Sequence, residues 1–231
     1  MQSKLPDVGT TIFTVMSKMA QEHDAINLSQ GFPDFDCPER LKDLVSHHLN
    51  DRRNQYPPMA GIPALRQAIS RKVDTLYGFA ADHETEVTVT SGATEALFDA
   101  VQASVQAGDE VIMFDPAYDS YDPAILMAGS KPVRVPLQLP DYSIDWNRVA
   151  DNLTSRTRLI IINTPHNPCG VTLAESDLDA LAELIKDTGI LVLSDEVYEH
   201  MVFDDEQHLS VLSHPLLRER SFAVFSFGKT Y

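Results

Sequence analysis

The spacing of apolar residues changes character along this chain, from a helical period before Gly78 to short β-rich runs after it. From Thr11 to His23, Ile12, Phe13, Val15, Met16 and Met19 recur near helical spacing and predict an amphipathic helix whose apolar face packs on a neighbour. The stretch from Asn27 to Phe35 (NLSQGFPDF) holds Gly31 and Pro33 and suits a turn or extended loop. Pro38 fits the first turn of a helix running to about Asn50. Tyr56, Pro57, Pro58 and Gly61 then break the chain before a helix over Pro63 to Tyr77.

After Gly78 the predicted strands are Val87 to Thr90, Val111 to Phe114, Pro132 to Val135, Leu159 to Ile162, Ile190 to Leu193, and Phe222 to Phe225. Helical segments, including Thr94 to Gln106 and Glu175 to Asp187, fall between most of them. Apolar strands alternating with helices predict an α/β fold, a mostly parallel sheet covered on both faces. No repeat, low-complexity tract or linker interrupts it. Residues 1–80 are therefore expected to form an N-terminal arm and helical segment, and residues 81–231 the ligand-binding α/β domain.

Composition narrows the function classes. The 231 residues carry 34 acidic against 18 basic side chains, a net charge of -16, which argues against a basic face for nucleic acid or anionic membrane. Small molecules are the expected partners. Cys37 and Cys169 stand far apart without CxxC or Cys/His ligand spacing, so neither a disulfide framework nor a metal site is expected. Free thiols fit a reducing cytosol. The start, Met1 to Leu5, has no secretory pattern, and the longest apolar runs fall far short of the ~20 residues of a membrane helix.

Candidate chemistry gathers at the predicted strand ends, where doubly wound sheets bind their ligands. Asn163 and Asn167 follow the Leu159 run, Asp195 and Tyr198 the Ile190 run, and Ser226 and Lys229 the Phe222 run. A lysine whose amine is neutral can form a Schiff base with an aldehyde cofactor. Ser91, Gly92, Ala93 and Thr94 open a helix whose N-terminus either is capped by Ser91 or binds a phosphate. No GxGxxG or GxxxxGK[ST] pattern favours a dinucleotide or P-loop site. A phosphate site, a carboxylate, a phenol, an amide and a lysine on one edge suit pyridoxal 5'-phosphate. Asp195 would then pair with the ring nitrogen, Tyr198 and Asn167 with the phenolic oxygen, and Tyr118 would stack on the ring. Taken singly, each has an ordinary structural reading: a cap, a proline turn, a core or a surface aromatic.

In order along the chain, NLSQGFPDF, SGATEAL (Ser91 to Leu97), PAYDSY (Pro116 to Tyr121), NTPHNPCG (Asn163 to Gly170), SDEVYEH (Ser194 to His200) and SFGKTY (Ser226 to Tyr231) resemble the class I/II aminotransferases of fold type I, in the methionine and kynurenine aminotransferase group. The resemblance implies the large domain of an aspartate aminotransferase-like fold, three layers α/β/α. It also implies that Lys229 forms the Schiff base, Asp195 and Tyr198 assist it, and Ala93, Thr94 and Ser226 hold the phosphate. Tyr56 matches a residue reaching the phosphate of the other subunit of a homodimer, Gly31 the place where the substrate carboxylate is met, and Phe13 an aromatic of the side-chain pocket; Asn167 also borders the substrate. His166 and His200 are read as structural.

The implied reaction moves an amino group from a neutral amino acid, methionine or an aromatic or kynurenine-like one, to a 2-oxo acid in the cytoplasm. A β-lyase acting on cysteine conjugates or cystathionine would use the same groups. A non-catalytic sensor module of the kind fused to transcription regulators is disfavoured, because the N-terminal residues read directly into the arm and no basic patch is offered. The family continues past its lysine into a Gly-Trp-Lys motif, an antiparallel strand and a C-terminal small domain. Here none of Arg134, Arg156, Arg158, Arg218 or Arg220 matches its carboxylate-binding arginine. Residues 1–231 alone are accordingly expected to be poorly soluble or partly folded, to bind the cofactor weakly and to be inactive.

Overall fold

A computed structural model describes residues 3–31 and 33–231. Phe32, inside the NLSQGFPDF motif, and Met1 and Gln2 of the start lie outside the described residues. The chain divides into two compact units: one runs up to Pro58 and includes Tyr231, the other runs from Met59 to Thr230. The division falls at residue 58 where the pattern change suggested 80. The reason is α3 (Pro63–Tyr77), whose Val73 is buried in the core of the larger unit.

The smaller unit holds α1 (Ile12–Glu22) and α2 (Glu39–Asn50). Thr11 caps α1, its hydroxyl accepting from the Thr14 amide at 3.3 Å. Pro38 stands at the cap of α2, one position before its first turn. Neither helix buries a residue. The packed apolar face expected of α1 is not seen: Ile12 and Met19 are exposed, and Phe13 and Met16 only half-buried.

In the larger unit, α3 is followed by α4 (Ala93–Ser104), β1 (Glu110–Asp115), α5 (Tyr121–Met127), β2 (Lys131–Pro136), α6 (Trp146–Asp151), β3 (Thr157–Asn163), α7 (Glu175–Ile185), β4 (Leu191–Asp195), a 3-10 turn (Val211–Ser213), α8 (Pro215–Arg218), β5 (Ser221–Val224) and α9 (Phe227–Thr230). The strands form one sheet in the order β2-β1-β3-β4-β5, and every ladder is parallel.

Strand side chains alternate between faces, and the buried residues sort accordingly. Ile112, Phe114, Ile160, Ile162 and Val192 join Leu178, Leu181 and Ile185 of α7 and Leu217 of α8. Val111, Met113, Leu159, Ile161 and Leu193 join Leu97 and Val101 of α4 and Ala124 and Ile125 of α5. Strands buried on both faces need near-continuous apolar runs, and Val111 to Phe114 of β1, Leu159 to Ile162 of β3 and Leu191 to Leu193 of β4 supply them. The fold is thus the three-layer α/β/α arrangement with a parallel sheet.

Val87 to Thr90, predicted as a strand, pairs with no other strand among the described residues. The Val89 amide donates to the Ala60 carbonyl at 3.0 Å, and the Thr90 hydroxyl to the Gly92 carbonyl at 2.8 Å. β-branched residues favour extended backbone, but a strand also needs a neighbour to take its N–H and C=O groups. The short helices α5 and α6 were not foreseen, because six or seven residues are too few to display a helical period.

Candidate functional site

The parallel ladders bring three strand ends to one edge. Asn163 closes β3 beside Asp195, which closes β4 beside Val224 of β5. Beyond them the edge is held by hydrogen bonds: the Thr164 amide and the Asn163 side-chain amide donate to the Asp195 carbonyl at 3.0 and 2.8 Å, and the Glu196 amide to the Val224 carbonyl at 2.8 Å.

Asp195 is 3% exposed. Its Oδ2 accepts from the Tyr121 hydroxyl at 2.7 Å and its Oδ1 from the Val197 amide at 3.3 Å. Burial raises its pKa, Glu196 adds to the rise, and the two donors oppose it. Tyr121 is pushed well up, first by burial and then by the Asp195 charge, so it keeps its proton and donates. Both donors to the carboxylate, the Tyr121 hydroxyl and the Val197 amide, are neutral.

Asn167 is pinned by its own backbone, whose amide donates to Asn163 Oδ1 at 2.7 Å. Its side-chain Nδ2 lies 3.4 Å from the Tyr198 hydroxyl, at the outer limit for donation. Burial, then the charge of Asp195 and the neighbouring Tyr118, raise the Tyr198 phenol. Lys229, exposed on α9, places Nζ 5.7 Å from the centroid of the Tyr198 ring. Tyr118 meets Tyr121 edge-on, with centroids 5.7 Å apart.

At the N-terminus of α4 the capping reading fails. Ser91 does not cap it: the cap position is Gly92, at φ 87°, and no side chain accepts from the first turn. The Ser91 amide donates instead to the Glu95 carboxylate. Ala93 and Thr94 therefore begin a helix whose first N–H groups have no intrahelical acceptors, a suitable seat for an anion. α4 also packs against β5, the strand that leads to Ser226.

Asp195, Tyr198, Asn167, Tyr118 and Lys229 are thus one constellation, with Ala93, Thr94 and Ser226 on neighbouring elements. Tyr56, Gly31 and Phe13 belong to the smaller unit, where Tyr56 is fully exposed, Gly31 exposed and Phe13 half-buried. Their roles continue to rest on the resemblance. Tyr121 was missed as a site residue; the signal was its spacing of three from Tyr118, which the turn leading into α5, closed by the Tyr121 amide donating to the Tyr118 carbonyl at 3.3 Å, converts into contact. His166 is internally used, its Nδ1 accepting from the Cys169 amide at 3.4 Å, and burial lowers its pKa.

The arginines are engaged elsewhere: Arg134 with Asp115 and Asp122, Arg156 with Glu110, Arg158 with Asp109, and Arg220 with the carbonyls of Ile185, Lys186 and Thr188. Arg218 lies over the Phe79 ring at 5.5 Å. Among the described residues, the metal-ligating types that come together are His47, His48 and Asp51, exposed on and just after α2 and outside this constellation.

The sequence profile of the family described as aminotransferase class I and II matches residues 23–231. Methionine aminotransferase of Escherichia coli (strain K12) is 55% identical over 230 residues, covering 100% of this chain and 60% of its own length. Human kynurenine--oxoglutarate transaminase 1 is 37% identical, covering 93% of this chain and 54% of its own. Among solved structures, N-succinyldiaminopimelate aminotransferase from Mycobacterium tuberculosis superposes with a TM-score of 0.96 at 40% identity, covering 100% of this chain and 61% of that one. This chain therefore spans between 54% and 60% of the length of these curated relatives.

Proposed function

We propose that this chain, which belongs to the class I and II aminotransferase family, carries the cofactor-binding part of an enzyme that moves an amino group from methionine or an aromatic, kynurenine-like amino acid to a 2-oxo acid. The family's cofactor is pyridoxal 5'-phosphate. The observation that carries the reading is the buried Asp195 carboxylate, with two neutral donors, on the same sheet edge as Tyr198, Asn167 and Lys229.

The donor set fits that cofactor. Asp195 matches a protonated ring nitrogen, since a buried carboxylate gains most from a cationic hydrogen-bond donor. The Tyr198 hydroxyl and Asn167 Nδ2 suit the ring oxygen, the Tyr118 ring suits one face, and the start of α4 with Ser226 suits the phosphate. When bound, the cofactor supplies an electron sink for the bond broken at the substrate Cα.

The residues of the chain do the rest. Asp195 would hold the proton on the ring nitrogen, Tyr198 and Asn167 would orient the ring, and Lys229 Nζ would hold the group and serve as the base for the proton at the substrate Cα. By the resemblance alone, Asn167, Gly31 and Phe13 are assigned to the substrate and Tyr56 to a second copy of the chain in a homodimer. Among the described residues no helix is long and apolar enough to cross a membrane, and we place the protein in the cytoplasm.

The test is turnover by the full-length holoprotein, not by residues 1–231 alone, with methionine, kynurenine and phenylalanine as donors and a panel of 2-oxo acids as acceptors. The amino acid matching the added 2-oxo acid should appear. Absence of product across the panel overturns the reading, and pyruvate and ammonia released from a cysteine conjugate without acceptor would indicate a β-lyase.

A further inference from the structure

Behind the constellation lies a set of buried groups for which the proposed reaction has no use. Glu199 follows Tyr198 directly, and its side chain is fully buried. One carboxylate oxygen is paired with Lys72 of α3, and the other accepts from the Tyr77 hydroxyl of the same helix at 2.5 Å. Burial, and then the hydrogen bond to Glu199, drive the Tyr77 pKa up, so the phenol stays protonated and donating.

The same two α3 residues also face the segment after β5. The Tyr77 ring stacks on Phe225, with centroids 5.9 Å apart and planes 13° from parallel. Lys72 Nζ sits 5.0 Å from the centre of that ring. Phe225 is next to Ser226 and four residues before Lys229.

A second buried carboxylate fastens the start of the turn. Glu196, next to Asp195, accepts from the Ser194 hydroxyl at 2.7 Å and the Val211 amide at 3.1 Å, and lies 2.9 Å from His208 Nε2. His208 in turn meets the edge of the Tyr77 ring. Desolvating a paired carboxylate and ammonium is costly, and apolar residues of similar volume commonly serve stability as well or better. What charged hydrogen bonds add is direction.

We propose that Lys72 and Tyr77 are positioning residues that grip Glu199 on one side and Phe225 on the other, and so set the Tyr198 phenol against the Lys229 amine. The inference rests on the cofactor-site reading above, and it assigns α3 a part in the chemistry without contact with any ligand. Glu199 orients Tyr198 through the backbone they share, and Phe225 does the same for the segment leading to Lys229.

Tyr77→Phe keeps the stacked ring and removes only the donor, Lys72→Met removes the charge and Lys72→Arg keeps it. In the holoprotein, Tyr77→Phe and Lys72→Met should shift the pH midpoint of the visible absorbance of bound pyridoxal phosphate. They should also lower kcat by about tenfold with the amino-donor KM within about twofold, and Lys72→Arg should recover most of the loss. Thermal unfolding of the apoprotein is followed beside them. Variants that unfold earlier while midpoint and kcat stay at the parental values overturn the proposal and leave these residues a structural part only. Should Tyr77→Phe or Lys72→Met not fold, Phe225→Leu decides by the same measurements, because it keeps apolar volume and removes the stacking surface. Lys229→Ala separates the two readings: if it leaves the parental absorbance in place, the cofactor-site reading has failed. If it abolishes that absorbance while the α3 variants change nothing, this inference alone has failed.

Discussion

β4 and β5 are neighbours in one parallel sheet, yet they present their functional groups in opposite settings. β4 has a strand on each side, and the chain from Val192 to Val197 is buried throughout. Its terminal Asp195 is fixed by Tyr121 and Val197, and the turn beyond is fastened by Glu196 and Glu199. Among the described residues β5 pairs only with β4; Phe222 is 41% exposed, and Lys229 stands exposed on a four-residue helix. The difference is one of cover: β4 has a strand on either side, and β5, in a chain that spans between 54% and 60% of the length of the curated relatives described above, has one. A desolvated, hydrogen-bonded strand end holds its side chain in one geometry, and an exposed end does not.

The largest effect should come from the exposed side. Lys229→Ala should lower turnover by about 10³-fold or more, with the apoprotein's unfolding midpoint unchanged, since the side chain it removes is exposed. Steady-state kinetics and thermal unfolding of the same preparations check both halves.

The buried strands should behave in the reverse sense. Ile160→Ala, at a fully buried position of β3, should cost about 2–5 kcal/mol in urea unfolding, against less than about 1 kcal/mol for an exposed apolar position of the kind Phe222 occupies. Similar losses at the two positions would mean that β5 is covered as well as β3.

Asp195 sharpens the comparison through pH. Its folded pKa lies above the ordinary carboxylate value because burial disfavours the charged form, so the folded state binds more protons than the unfolded state between the two values. Stability of the apoprotein should then fall as pH rises through that window and level off above it. Asp195→Asn should therefore unfold later than the parent at pH 7, and the gap should close as pH falls below the ordinary carboxylate range. The same substitution should weaken pyridoxal phosphate binding, so that stability and cofactor affinity move in opposite directions.

The smallest effect is expected at Tyr121. Tyr121→Phe removes one hydrogen bond to a charged acceptor while preserving the ring, and should cost about 1.5–3 kcal/mol of cofactor affinity or less, read by equilibrium binding. A loss equal to that of Asp195→Asn would place Tyr121 in direct contact with the ligand.

Much of this arrangement was legible in the residues. The apolar runs of β1, β3 and β4 and the helices α3 and α7 could be read because each carries enough consecutive residues to show its period. Asp195, Tyr198, Asn167 and Lys229 could be named because strand ends collect ligands in such sheets and the motifs follow in order. Val87 to Thr90 forms no ladder here for a reason that no local composition contains: whether a β-rich segment becomes a strand depends on what lies beside it.

The amino-acid sequence by itself determined the alternation of strands and helices, the two apolar faces of the sheet and the family of motifs at its edge, because these follow from periodicity and residue type within short windows. Only the tertiary structure decided which polar residues meet. Tyr121 reaches Asp195 across 74 positions, Tyr77 reaches Glu199 across 122 and Lys72 reaches it across 127. None of these pairs leaves a local trace in the chain. Each exists because packing α3 and α5 against a parallel sheet makes neighbours of distant residues, and a buried carboxylate must then find its donors among whatever side chains the packing has brought within reach.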